Sequence, residues 1–161
     1  MNADFLFNIP KLVGHEDNVD LVKPFFEQEV VDVIWSMEPE KSPGMEGFSI
    51  HFYRACWYII KYDLLRMISA FLKKAKVGGN TNSTFLVLIP KEVNPPSFDR
   101  FRPISLFNAS YKILAKLLAN SLKPLLCSLI SPLEGGFIKG RHLIDNVIQV
   151  QEALHSTFQR K

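Results

Sequence analysis

Apolar positions recur at helical spacing over most of the chain and run together in one place, and that contrast predicts the fold. Val30, Ile34 and Met37 predict a helix from about Glu27 to Met37, led in by Asp20 or Pro24. Residues 1 to 23 carry no such period and read as an irregular, acidic lead-in. Glu38 to Gly47 reads as a loop, and Ser49 as the N-cap of a helical stretch reaching about Trp57. A further helix from about Tyr62 to Lys74 sets Leu64, Leu65, Ile68, Phe71 and Leu72 on one face, and Gly78-Gly79 ends it. Phe85 to Ile89 is the continuous apolar run; a polar, proline-bearing stretch from Glu92 to Arg100 separates it from Phe101 to Leu106. These two segments predict an antiparallel hairpin with strands near 84 to 90 and 101 to 106. Ser110 starts a long helix with Ile113, Leu114, Leu117, Leu118, Leu122 and Leu125 inward, which Pro124 should kink or divide. Pro132 to Gly140 is a loop, and Leu143 to about Phe158 a last helix with Ile144, Val147, Ile148, Gln151 and Leu154 on one side. The predicted class is α+β: mostly helical, with one antiparallel β-hairpin as the only substantial sheet element.

Composition narrows the setting without identifying a function. The chain has 161 residues, 47% of them hydrophobic, enough to bury a core as one domain or as a large piece of a bigger one. No apolar stretch is long enough to span a membrane, and the start lacks a basic region followed by an apolar run. The expectation is a soluble, intracellular protein, nuclear or cytoplasmic, and not secreted. Cys56 and Cys127 stand far apart without partners, which suggests neither a disulfide framework nor a zinc site.

Charge is distributed unevenly behind a net value of +3. Residues 1 to 65 hold 5 Lys/Arg against 11 Asp/Glu, whereas residues 66 to 123 hold 10 against 2. A central basic zone of that size suits a polyanion, because each phosphate neutralised releases condensed counterion. The competing reading is a set of solvated helix faces. Within the zone, the hairpin places Lys91 at the end of its first strand and Arg102 at the start of its second. Two such cations suit a polyphosphate, Arg through its planar fork of donors and Lys as a mobile point charge. An ordinary solvated hairpin carries the same residues. The loop Lys41-Ser42-Pro43-Gly44-Met45-Glu46-Gly47 has a second potential for phosphate, since its glycines let a backbone approach a ligand and offer free amides. A helix-to-helix turn without any ligand is the alternative there.

Four blocks taken together resemble one family. Lys41 to Phe48 is similar to Lys-Ser-Pro-Gly-Pro-Asp-Gly-Phe in the reverse transcriptase of plant LINE-type (non-LTR) retrotransposons. The pair Leu88-Ile89-Pro90-Lys91 and Phe101-Arg102-Pro103-Ile104-Ser105-Leu106, followed by Tyr111 to Asn120, resembles the same enzymes. So does Ile130-Ser131-Pro132 through Phe137 to Arg141, with Asp145-Asn146 beyond it. The blocks keep the family's order and cover the chain from Ile9 to His155.

The resemblance implies the fingers and the start of the palm of an RNA-directed DNA polymerase, over residues 24 to 161. It implies an RNA template, a DNA primer strand and a deoxynucleoside triphosphate as partners, and no membrane. Lys91 and Arg102 are then the nucleotide-binding pair, and Lys41, Ser42, Gly44, Gly47, Lys112, Lys116 and Arg141 the residues facing template or backbone. The complete polymerase would require Mg2+, because phosphoryl transfer of this kind uses metal ions held by clustered carboxylates. The family's two aspartate motifs lie beyond its Gly-Arg, Asp-Asn helix, and neither stands in this sequence, whose last acids are Asp145 and Glu152. No catalytic residue and no metal or other cofactor is therefore expected in this chain, and it is expected to be inactive alone. Met45 and Glu46 replace the family's Pro and Asp, Ser121 its Arg, and Leu133 to Phe137 its usual Gln-Ser-Ala-Phe form. Two other readings stand beside the polymerase fragment: a non-catalytic basic module that binds nucleic acid through phosphates, and an inert truncated relic.

Overall fold

The computed structural model describes residues 11–159 apart from 77, 79, 80, 132, 133, 135, 137 and 139. The described residues form α1 (His15–Val22), α2 (Glu27–Ser36), α3 (Ile50–Ala55), α4 (Trp57–Lys74), β1 (Thr84–Pro90), β2 (Phe101–Phe107), α5 (Ala109–Leu129) and α6 (Leu143–Gln159). The α+β class is as the periodicity predicts, with a two-stranded antiparallel sheet amid helices.

Residues 22–120 form one compact unit. Its core joins Val30, Val33 and Ile34 of α2 to Ile50 and Tyr53 of α3, Trp57, Leu64 and Ile68 of α4, and Ala109, Ile113, Leu114 and Leu117 of α5. Each set recurs three, four or seven residues apart, which places it on one helix face. Caps fix the helix starts. The Glu29 carboxylate accepts from the Phe26 amide at 2.7 Å before α2, and the Ser49 hydroxyl accepts from the Phe52 amide at 3.5 Å before α3. Arg54 of α3 donates to the carbonyls of Ile34, Trp35 and Met37, satisfying acceptors left open where α2 ends. Its guanidinium also lies 5.9 Å from the centre of the Trp35 ring.

Three boundaries differ from those predicted. The acidic lead-in contains α1, whose start is closed by the Gly14 amide donating to Asp17 at 2.8 Å, with Glu16 and Asp17 in the first turn. No residue of α1 is buried, so the helix has no apolar period to read. Helix α4 begins at Trp57 rather than Tyr62, because Trp57 shares its buried face with Leu64 and Ile68. It ends at Lys74, ahead of the two glycines: Ala75 takes the left-handed conformation at φ 50° and its amide donates to the Phe71 carbonyl at 2.7 Å. Gly79 lies outside the described residues.

The hairpin pairs Thr84 with Phe107 through to Pro90 with Phe101. Alternation sets Phe85, Val87, Ile89, Arg102, Ile104 and Leu106 on one face and Leu86, Leu88, Pro103 and Ser105 on the other. All of β1 is exposed on both faces. The hairpin is tied at its base, where Phe107 stacks on Tyr111 of α5 with ring centres 5.0 Å apart.

Residues 11–21 and 121–159 belong to a second unit. Helix α5 runs without a break through Pro124, which withholds one amide from the ladder but does not divide the helix. In α6 the predicted apolar side is exposed at Ile144, Val147, Ile148 and Leu154. Much of the loop predicted over 132 to 140, including most of the Leu133 to Phe137 block, lies outside the described residues.

Candidate nucleic-acid interface

The hairpin brings its cations together by register. The Ile89–Arg102 pair is followed by the Lys91 amide donating to the Arg100 carbonyl at 2.8 Å, which carries the ladder one residue further. Lys91 thereby falls beside Arg102 on the same side of the ribbon. The two cations are not equally available. The Lys91 ammonium donates to the Asp99 carbonyl at 2.7 Å, which leaves two of its three donors. The acids of the connecting loop are matched by Arg100, which lies 3.4 Å from Asp99 and 3.8 Å from Glu92. Arg102 is exposed, and its side chain makes no ion pair or hydrogen bond with the described residues.

The loop from Lys41 to Gly47 is fastened to the start of α5. Gly44 packs so closely on the chain that a Cβ there would sit 2.4 Å from both the Asn108 nitrogen and the Phe107 carbonyl carbon. The approach that glycine permits is thus made to the chain's own backbone. Gly47 adopts φ 74°, and its amide closes the turn onto the Gly44 carbonyl at 3.1 Å. Glu46 then places its carboxylate at the beginning of α5, accepting from the Ser110 amide at 3.2 Å and the Ser110 hydroxyl at 3.0 Å. That is where a helix presents unpaired amides and positive potential. The Glu46 amide donates to the Asn108 side-chain oxygen at 3.0 Å, and the Asn108 side-chain nitrogen donates to the Thr81 carbonyl at 3.3 Å. Asn108 therefore joins the loop, the approach to β1 and the start of α5. Tyr53 closes the cluster, its hydroxyl 3.4 Å from Glu46. Burial, reinforced by the Glu46 charge, pushes the Tyr53 phenol up to about 12.

Beside this clamp lies a cleft of about 450 Å³ between the end of α2, the 38–49 loop and α5. Lys41, Ser42, Lys112 and Lys116 line it together with Phe48. Lys112 and Lys116 are one turn apart on α5 and reach the same opening. The Lys112 ammonium donates to the Ser42 carbonyl at 3.0 Å, while Lys41 lies 3.7 Å from Glu38, the only acid among the described residues of the lining. Three ammonium groups against one carboxylate leave the cleft positively charged.

Arg141 belongs to the second unit. It donates to the carbonyls of Ser131 and Glu134 through one terminal nitrogen, at 2.6 and 3.0 Å, and to those of Cys127 and Ile130 through the other, at 3.2 and 3.3 Å. Its guanidinium holds the last turn of α5 and the bend after it. Among the described residues no group of three or more His, Cys, Asp and Glu side chains is placed to hold a metal ion. Likewise, none of the described helices is long and apolar enough to cross a membrane.

Sequence reasoning finds the cations and glycines of this surface but not the groups that hold them. Glu46, Asn108 and Ser110 form the clamp, and Asn108 directly before a helical pattern is the signal that was available, since Asn is a preferred cap. Phe48 carries no comparable signal, because one exposed aromatic beside a loop is compatible with any surface.

No protein-family model matches the chain. It is 30% identical over 135 residues to the transposon TX1 uncharacterized 149 kDa protein of Xenopus laevis, covering 84% of this chain and 10% of that one. It is 25% identical over 149 residues to a probable RNA-directed DNA polymerase from transposon BS of Drosophila melanogaster, covering 87% of this chain and 16% of the relative. The chain thus spans a small part of the proteins it matches. Its homologues are transposon proteins, one of them named as an RNA-directed DNA polymerase.

Proposed function

We propose that this chain contributes template and nucleotide contacts to an RNA-directed DNA polymerase of a non-LTR, plant LINE-type retrotransposon, as its fingers and the start of its palm. The observation that carries the reading is the cleft in which Lys41, Ser42, Lys112 and Lys116 meet, drawn from a loop and a helix 70 residues apart along the chain. Positive groups gathered in a concave surface suit phosphates, and the similarity to a probable RNA-directed DNA polymerase supports a nucleic acid as the source of them.

In this reading the cleft follows the template backbone, and Lys91 with Arg102 receives the triphosphate of the incoming deoxynucleotide. Arg102 supplies a free fork of donors and Lys91 its two remaining ones. Gly44 and Gly47 serve by shaping the loop that presents Lys41 and Ser42. Arg141 serves by fixing the turn after α5, from which the chain continues towards α6. Mg2+ belongs to the complete polymerase, and the place of action is intracellular, nuclear or cytoplasmic.

The test is binding of single-stranded RNA by the chain over a range of salt concentrations. Binding that weakens as salt rises, and weakens further in a Lys112→Gln/Lys116→Gln variant that keeps its circular dichroism, is the expected result. A folded chain with no affinity for RNA or DNA at low salt would instead be the inert relic.

A further inference from the structure

The cleft holds one group that a plain phosphate track does not require. Phe48 lines the same opening as Lys112 and Lys116 and leaves 45% of its surface exposed. Its ring is held in place from behind: it stacks on Phe52 with centres 4.3 Å apart and planes 21° apart, and Phe52 meets Tyr53 edge to face at 5.9 Å. A positioned aromatic face beside two half-buried lysines combines the two elements by which proteins hold unpaired nucleotides, a stacking platform and a cationic backbone contact. The volume, about 450 Å³, lies in the range of sites that enclose a small molecule and admits one nucleotide. A duplex keeps its base faces stacked on one another and has none to offer Phe48.

We infer that the cleft is a single-nucleotide pocket for an unpaired strand, with a base stacked on Phe48 and the two phosphates flanking it held by Lys112 and Lys116. The inference rests on the nucleic-acid reading above and deepens it by assigning strandedness and a base contact to that site. Stacking accepts any base, so the pocket selects single strands without selecting sequence. An acidic peptide would satisfy the lysines but leave the ring unused, which favours nucleic acid.

The experiment uses the whole chain with a short oligoadenylate containing one fluorescent purine analogue, and a duplex RNA of the same length. Phe48→Leu keeps an apolar side chain at the position and removes the ring; Phe48→Tyr keeps the ring. The expected result is quenching of the analogue on binding, and a loss of about tenfold in single-strand affinity together with the quenching in Phe48→Leu. Duplex affinity stays unchanged in that variant, and Phe48→Tyr behaves like the parent. Lys112→Gln/Lys116→Gln lowers the magnitude of the salt slope by about 1.4, the value for two phosphates on a single strand. If the lysine variant behaves so while Phe48→Leu binds single strand and duplex as the parent does, the pocket is refuted and the phosphate track stands. If the folded parent binds neither oligonucleotide, both readings fall. If polyglutamate displaces the oligonucleotide as readily as unlabelled oligoadenylate does, the site is one for acidic chains and the inference is overturned.

Discussion

Glu46 shows how one side chain changes the meaning of a loop. Glycines and backbone amides before a helix suggest a place for an external phosphate, but here the loop's own carboxylate lies at the Ser110 amide and hydroxyl. The anionic position at the start of α5 is filled from within, and the proposed phosphate contacts fall to the lysines one and two turns further along. Glu46→Ala is expected to lower the unfolding free energy by about 1.5 to 3 kcal/mol, as for hydrogen bonds to a charged group, measured by urea denaturation. A change within about 0.5 kcal/mol would mean that water replaces the carboxylate without loss. Tyr53 supplies a pH test of the same cluster. Its pKa, about 12, lies above the ordinary value of 10.0, so its favourable contribution is intact below pH 10 and is lost as pH rises through 12. The difference in melting temperature between parent and Tyr53→Phe should therefore shift in favour of the variant between those values, and a constant difference would show that the phenol does not ionise late. On the hairpin, Arg102→Ala should weaken binding of a deoxynucleoside triphosphate by about 1.5 to 3 kcal/mol, followed by titration calorimetry, with a smaller effect on RNA affinity. Equal losses for both ligands would move Arg102 to the template track.

At the level of elements, the junction of loop and helix is decided by two glycines with different duties. Gly47 needs φ 74° and has open space around it, so Gly47→Ala meets only the left-handed penalty of about 1 to 2 kcal/mol. Gly44 meets backbone atoms at 2.4 Å, so Gly44→Ala must displace the Phe107–Asn108 segment and is expected to be the more damaging, by about 3 kcal/mol in all. The reverse order in thermal melts would show that the loop separates easily from α5. The same comparison explains what could be read from sequence. The helices over 27–37, 49–57 and 110 onward are legible because their apolar residues face one core, and the hairpin because a β-rich run ends in Pro90 and resumes after a proline-bearing loop. Helix α1 is not legible, since it buries nothing and is fixed by one local contact from Gly14 to Asp17. Pairing between remote positions was equally hidden: no periodicity connects Glu46 with Ser110, or Arg54 with the end of α2. The candidate cations are visible as residue types, whereas the convergence of Lys41 with Lys112 and Lys116 follows only from the packing of α5 against the 38–49 loop.

For the molecule as a whole, the number of cations in the basic zone overstates the number free to meet phosphates. Residues 66 to 123 contain 10 Lys/Arg, yet Arg66 pairs with Asp63, Arg100 lies between Glu92 and Asp99, and Lys73 and Lys74 close the C-terminal turn of α4, where they complement its dipole. The groups assigned to phosphates are Lys41, Lys91, Arg102, Lys112 and Lys116, spread over the cleft and the hairpin. Binding is expected, and its salt dependence counts the contacts. If those five cations each neutralise one phosphate of a single strand, log Kd plotted against log salt should rise with a slope of about 3.5, since each contact contributes about 0.7. Engagement of the entire basic zone would give a slope of about 7, and occupation of the cleft alone about 2. A value near 2 that is unaffected by Arg102→Ala would separate the hairpin from the template path and leave it to the nucleotide, whereas a slope near zero would remove phosphate recognition from the protein altogether.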